Sequence, residues 1–460
     1  MPIMSNFHLR QSVSFLRSQC FSGFVASIGS KIDPDASFSS VDGSRNRVFT
    51  TVRTFWLFLY QVLMGNLSLD AMVQVAKAWL LEAEDISISS NTSAFSQARS
   101  RLPTEFLRTI DCQVRENFPE SKKFHGFSVK LVDGTGISVP DTPENRERYP
   151  KHGKAGTYSG FPSFKLVGLF DYESGKNIEW SVDTISTSDS ALFRLFWPLL
   201  NSDDLIVGDR HFCGFAYFAF LLNLGVNMMT RKHQMRRHQT TEKQIGKHDL
   251  IVKWEKPLKP PKWLGMDEWE QLPESLLIRE IKFTVRPKGF RTNTITITTT
   301  VLEESISAEE WAELYLHRWN VELFLRDIKT TLGMDMLKGK KPEIIDKEIF
   351  LYFIAYNLIR LLILEAATKN NADLSKISFK STITAIQIWA PMLAEAETES
   401  KYERYFDEFL KMIAYPRCRN RKNRTEPRAR KRRPKNYQLL TGERHLFKPI
   451  PHRNSYKRKP

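Results

Sequence analysis

The segment AEEWAELYLHRWNVELFLRDIKTTL, residues 308–332, decides how the rest of the chain is read. It lacks proline and is built through its middle from strong helix formers and aromatics, so one long α-helix is expected. Leu314, Val321, Leu325, Ile328 and Leu332 follow helical spacing and make an apolar stripe that must be buried. Tyr315, Arg318, Glu322 and Lys329 make a second stripe beside it. At about 100° per residue those four side chains fall within roughly a 60° arc and address one site. An ordinary solvent face carries the same residue types, and Arg318 with Glu322 also reads as an i,i+4 ion pair.

Two apolar strands change that balance, because each ends in a carboxylate. In one, Phe127, Val129 and Leu131 alternate with Ser128, Lys130 and Val132, and the run stops at Asp133-Gly134-Thr135-Gly136, a strand-turn signal after which Ile137 to Pro140 is expected to return as a second strand. In the other, Leu205-Ile206-Val207-Gly208 ends at Asp209. Strand ends are where α/β sheets build sites, although a turn or a helix cap also favours aspartate. Asp133, Asp209 and Glu322, from two strands and a helix, can hold two hard cations ~3.5 to 4 Å apart, the arrangement that suits in-line phosphoryl transfer. Arg318 and Lys329 would neutralise phosphate charge there, and Tyr315 would donate a hydrogen bond.

Around these elements the pattern is mixed α/β. Strands are expected at Ser163 to Phe170 and Ile178 to Val182 around the turn Glu173-Ser174-Gly175, and again at Val226 to Thr230; helices are expected at Ser188 to Leu200 and Phe212 to Leu224. Residues 47–120 read as helical, a possible DNA-binding region. Residues 232–302, irregular, proline-rich and bearing Trp254, Trp263 and Trp269, read as a β-rich insertion between two parts of one core, 121–231 and 303–400. Residues 1–46 read as a disordered leader, and 401–460 as a basic tail.

The 460 residues carry a formal net charge of +16, but 17 Lys and Arg against two Glu lie between Arg417 and Pro460. The body is nearly neutral, so the tail is what points to a polyanionic partner. Cys20, Cys112, Cys213 and Cys418 show no zinc-ligand spacing and fit a reducing compartment. The apolar run Ile349 to Leu364 is interrupted by Asn357 and Arg360 and falls short of the ~20 residues a bilayer needs, so a buried core helix is expected and no membrane partner.

The spacing Tyr315-x2-Arg318-x3-Glu322-x6-Lys329 resembles the YREK signature of the insertion sequence 4 family of DDE transposases, and Asp133 in Val-Asp-Gly-Thr and Asp209 in Val-Gly-Asp-Arg-His-Phe look like that family's two catalytic aspartates. The resemblance runs from about Phe127 to the tail. It implies an RNase H-like catalytic core, a mixed sheet flanked by helices, with Asp133, Asp209 and Glu322 as catalytic residues and ligands of two Mg²⁺ (or Mn²⁺) ions. Tyr315, Arg318 and Lys329 would contact DNA. The implied activity is cleavage and strand transfer at the inverted-repeat ends of an insertion sequence, on double-stranded DNA and its target, by a homodimer acting in the cytoplasm on chromosomal DNA. One insertion tryptophan would stack on a flipped base in such an enzyme; local packing is the simpler reading of all three. Trp319 is expected in the core and His211 on a surface loop. A catalytically idle DNA-binding protein and a standalone RNase H-like nuclease are the alternatives.

Overall fold

The computed structural model describes residues 31–32, 34, 47–151, 160–236, 240–285 and 293–416. The basic run 417–460 and nearly all of the leader lie outside them.

In chain order, α1 (Thr51–Leu63), α2 (Leu69–Glu84), α3 (Ser93–Arg101) and α4 (Thr104–Glu116) precede β1 (Ser128–Ser138), α5 (Pro143–Arg148), β2 (Ser163–Asp171), β3 (Asn177–Thr184), α6 (Asp189–Arg194), β4 (Asp204–Gly208), α7 (Phe215–Asn223) and β5 (Asn227–Arg231). Next come β6 (Thr240–Gly246), β7 (Asp249–Glu255), α8 (Met266–Glu270), β8 (Ser275–Val285) and β9 (Asn293–Thr299). The described residues end with α9 (Ala308–Leu316), α10 (Trp319–Arg326), α11 (Pro342–Lys369), α12 (Phe379–Ala394) and α13 (Glu399–Ala414).

The nine strands among the described residues share one sheet, in the order β3-β2-β1-β4-β5-β9-β8-β7-β6. The β3-β2-β1 ladder is antiparallel, while β4 runs parallel to β1 and β5 parallel to β4. That five-stranded order and direction, flanked by helices, is an RNase H-like core. Side chains alternate across it, as the pleat requires. Leu131, Leu166, Leu205, Val207 and Met229 enter one core with Val321, Leu325, Ile328 and α11. Val132, Val167, Ile206 and Met228 enter a second core with Phe193 of α6, Phe218 of α7 and Trp269 of α8.

Two sequence expectations change here. β1 does not stop at Asp133-Gly134. It runs eleven residues, paired with β2 from Lys130↔Asp171 through Asp133↔Gly168 to Ser138↔Ser163, so there is no turn and no separate return strand. A partner strand from Lys130 to Ser138 outweighs the local turn preference of Asp-Gly, as tertiary context does for strand propensity generally. Gly134 serves close approach instead: a Cβ there would lie 2.8 Å from the Asp189 carboxylate, which Lys165 holds at 2.7 Å. The expected helix Ser188 to Leu200 is also shorter, ending at Arg194 and followed by a 3-10 turn at Trp197–Leu199 that contains Pro198, which cannot donate to a helical ladder.

Residues 232–302 supply β6 to β9, and these extend the same sheet, β9 pairing with β5 at Met229↔Thr299. Arg279 of β8, 1% exposed, grips Asp249 of β7 through two nitrogens (2.9 and 2.6 Å) and also donates to the carbonyls of Glu303 and Ile306. Those carbonyls sit just before Ser307, which caps α9 in a reciprocal box with Glu310.

The helix α11 is the centre of the first core and packs on α1, α4, α12 and α13. It is the one helix among the described residues long and apolar enough to cross a membrane, yet 89% of its most apolar stretch is buried inside the molecule. Of the amino-terminal helices, α1, α3 and α4 pack directly on α11, and α2 packs on α1 and α3. Arg99 of α3 donates to Glu348 of α11 at 2.8 Å, both side chains below one-tenth exposed, and lies 3.8 Å from the Phe58 ring centroid.

Candidate active site

The sheet register sets the site. The parallel β1–β4 pairing includes Leu131↔Val207, and β4–β5 pairing includes Val207↔Met229. All three of those residues enter the first core. Two residues further along each strand stand Asp133, Asp209 and Arg231, at one level and, by strand alternation, on that same face. Asp209 caps a short 3-10 turn, Arg210–Phe212, which ends β4 there.

The third carboxylate comes from the helical segment, whose shape differs from the single helix expected. It tightens at residues 317–321, where Arg318 N–H bonds Tyr315 O and Val321 N–H bonds Arg318 O, and α10 then widens into a π-helical turn at Asp327–Thr331. Such π-turns re-phase a helix and gather at functional sites. The apolar stripe, with Leu325 5% exposed and Val321 and Ile328 fully buried, presses the segment onto the β1–β4 face. That pressure turns Glu322 and Arg318 toward the strand-end aspartates.

Arg318 donates to Glu322 Oε1 at 2.8 Å through one terminal nitrogen, and the other lies 3.8 Å from Asp133 Oδ2. Lys329, re-aimed by the π-turn, donates to Gly136 O at 2.7 Å and Thr135 Oγ1 at 3.2 Å on β1. Tyr315 is buried, its hydroxyl bonded by the Arg231 backbone, and burial first, with Asp209 adding to it, pushes its pKa up to about 12, so the phenol keeps its proton. The structure thus brings all six predicted residues to one end of the β1–β4–β5 ladder.

His211 belongs with them. It is on the surface, as expected, but its Nδ1 is 2.7 Å from Asp209 Oδ2 and its N–H bonds Asp209 Oδ1 at 2.8 Å. Arg231 escapes the sequence reading, although the rule that finds both aspartates, a polar residue ending an apolar strand, applies to it after Val226 to Thr230. Trp319 corrects another expectation: it lies one residue past Arg318, on the outer side of the tightened turn, and is 57% exposed. Trp254 and Trp269 are core residues (1% and 5% exposed), and Trp263 stacks on Tyr217 at 4.8 Å, with Arg194 5.4 Å from its ring.

The donor set suits hard divalent cations. Asp133 is pushed up to about 6, chiefly by burial, against the Gly134 N–H and Arg318 and with added repulsion from Asp209 and Glu322. Three carboxylates near enough to repel one another mark a place where added positive charge is favourable. In this conformation they stand apart, and no group of three His, Cys, Asp or Glu among the described residues lies close enough to hold an ion. With its folded-state pKa raised from 3.8, Asp133 favours the native state below that value and progressively loses that contribution as pH rises through about 6. Asp133→Asn is therefore expected to raise the melting temperature of the metal-free protein at pH 7, by at most roughly 3 kcal/mol of stability. An unchanged or lower melting temperature across pH 4 to 8, followed by calorimetry, refutes this strain.

A core of RNase H topology carrying two strand-end aspartates and a helical glutamate defines a class of phosphoryl-transfer proteins, and comparison with known families agrees: residues 125–358, half of the chain, match the Transposase DDE domain family. The chain belongs to that family. It is similar to the transposase InsG for insertion sequence element IS4 of Escherichia coli (strain K12), 28% identical over 286 residues, 60% of this chain and 62% of InsG. The match thus spans less than two thirds of that relative. A shorter match, 40% over 73 residues, covers 16% of this chain and 19% of a probable transposase for insertion sequence element IS5377 of Geobacillus stearothermophilus. Among solved structures, the piggyBac transposase synaptic complex with hairpin DNA aligns with a TM-score of 0.42 at 10% identity, over 88% of this chain and 85% of that one.

Proposed function

We propose that this chain is a transposase that cleaves DNA at the ends of an insertion sequence and joins them to a target, with Asp133, Asp209 and Glu322 holding two Mg²⁺ or Mn²⁺ ions. One observation carries the reading: adjacent parallel strands deliver Asp133 and Asp209 to one level, and Glu322 faces them from the helix packed on that side. The ions, when bound, supply charge against the attacking and leaving oxygens of in-line displacement. Arg318 and Lys329 bind the phosphate that enters between them, and the protonated Tyr315 hydroxyl donates to an oxygen of the same DNA end. Recognition proceeds on double-stranded DNA, in a homodimer that pairs two inverted-repeat ends, with the protein in the cytoplasm beside the chromosome.

The test is Mg²⁺-dependent cleavage of DNA carrying the sequences that flank this gene. Cleavage lost in Asp133→Asn, Asp209→Asn and Glu322→Gln supports the reading. Binding without cleavage under Mg²⁺ or Mn²⁺ instead makes the chain a DNA-binding relative with an idle site.

The tail, with 15 net positive charges between Arg417 and Pro460, contacts DNA phosphates without reading sequence. Deleting residues 417–460 is expected to weaken binding to every duplex alike and to lower the slope of log affinity against log salt by several units. A titration of binding against salt that returns the wild-type slope removes the tail from the interface.

A further inference from the structure

Arg318 occupies a place that a phosphate-binding arginine need not take. Its side chain, 14% exposed, lies between two of the three carboxylates, 2.8 Å from Glu322 Oε1 and 3.8 Å from Asp133 Oδ2. The aspartate oxygens nearby have partners too: Gly134 N–H bonds Asp133 Oδ1, and His211 engages both oxygens of Asp209. Lys329 differs, because its ammonium is fixed to the β1 backbone at Gly136 O. Arg318 bridges two of the acids that the proposed chemistry needs for a cation. We propose that Arg318 is the resident counter-ion of the DNA-free site, and that a DNA phosphate must draw it off before Asp133 and Glu322 can share a divalent cation.

This rests on the transposase reading above and adds an order of assembly to it. A divalent ion needs carboxylate oxygens at about 2.1 Å, and a guanidinium set between two carboxylates prevents both from closing on it. A guanidinium matches phosphate in a bidentate fork, so an arriving DNA end offers Arg318 an exchange of partners that frees both acids at once. The tightened turn at residues 317–321 puts Arg318 at the start of α10, where its side chain can swing without moving the apolar stripe. Metal and DNA then bind as a coupled pair, and by linkage each raises the other's affinity by the same factor. Away from DNA, Asp133 and Glu322 share the charge of the protein's own arginine.

The experiment measures Mn²⁺ binding to the full chain by paramagnetic resonance. It is run without DNA, with a duplex carrying the flanking end, and with the same duplex bearing a neutral methylphosphonate at the scissile position, all read before cleavage proceeds. Wild type is expected to bind Mn²⁺ at least about tenfold more tightly with the phosphate duplex than alone, and the methylphosphonate duplex to give little of that gain. Arg318→Gln is expected to bind Mn²⁺ without DNA about as tightly as wild type does with it, leaving a coupling within about twofold. Equal wild-type affinity with and without DNA overturns the exchange on its own, with no variant needed. So does an Arg318→Gln protein that binds no more tightly than wild type when DNA is absent. If Mn²⁺ binds neither protein even with the phosphate duplex, the metal-dependent reading itself fails, an outcome distinct from the other two.

Discussion

Glu322→Gln is expected to leave the protein folded and bound to its DNA ends while strand cleavage falls by about 10³-fold or more. The change keeps the size of the side chain and an oxygen that Arg318 can still use, so the 2.8 Å contact has a neutral replacement. On the proposed reading, what is lost is an anionic ligand, and with it part of the charge that would hold a divalent cation beside Asp133 and Asp209. Several kcal/mol of transition-state stabilisation rest on such an ion, and about 4 kcal/mol corresponds to about 10³ in rate. Single-turnover cleavage of end-bearing duplex measures it, with binding followed on the same DNA. Cleavage at more than a tenth of the wild-type rate removes Glu322 from the site.

The second large effect lies far from chemistry. Arg279→Met is expected to cost about 3 to 5 kcal/mol, because it strands the Asp249 carboxylate, 5% exposed, without a counter-charge. The same substitution releases the carbonyls of Glu303 and Ile306 in the segment that feeds α9. Urea unfolding reads the loss as a shifted midpoint at constant slope. The double variant Arg279→Met with Asp249→Leu should recover much of it, since two matched apolar groups leave no buried charge. A single variant within about 1 kcal/mol of wild type would mean that water reaches Asp249.

What the sequence makes legible, and what it hides, follows from the range of the forces involved. The helical stripe from Tyr315 to Lys329 and the short apolar strand before Asp209 are local patterns, and local periodicity locates them. Asp133 is legible for an incomplete reason: it reads as a residue closing a strand, whereas β1 continues past it because β2 pairs with every residue to Ser138. Gly134 looks like a turn residue because the Asp189 carboxylate that requires its missing side chain is 55 positions away. The break at His317–Arg318 and the π-turn at Asp327–Thr331 lie in a segment packed on β1, and no propensity marks them. Trp319 reads as core on composition alone, where only the phase of a distorted helix decides. Its neighbours Val321 and Leu325 keep their buried positions because they carry the stripe that anchors the segment.

The way residues 232–302 join the sheet has an evolutionary side. The chain leaves the core at the end of β5 and re-enters through β9, its immediate antiparallel neighbour, with Lys232 N–H already bonded to Thr296 O. Everything between is, in topological terms, the loop of a hairpin. Lengthening or trimming such a loop costs closure entropy that grows only with the logarithm of its length. Descendants of this gene can therefore gain, lose or exchange that segment without rethreading the strands that present Asp133 and Asp209. The constraint they inherit is narrower: whatever replaces β7 and β8 must again offer something like Arg279 to tie down the approach to α9.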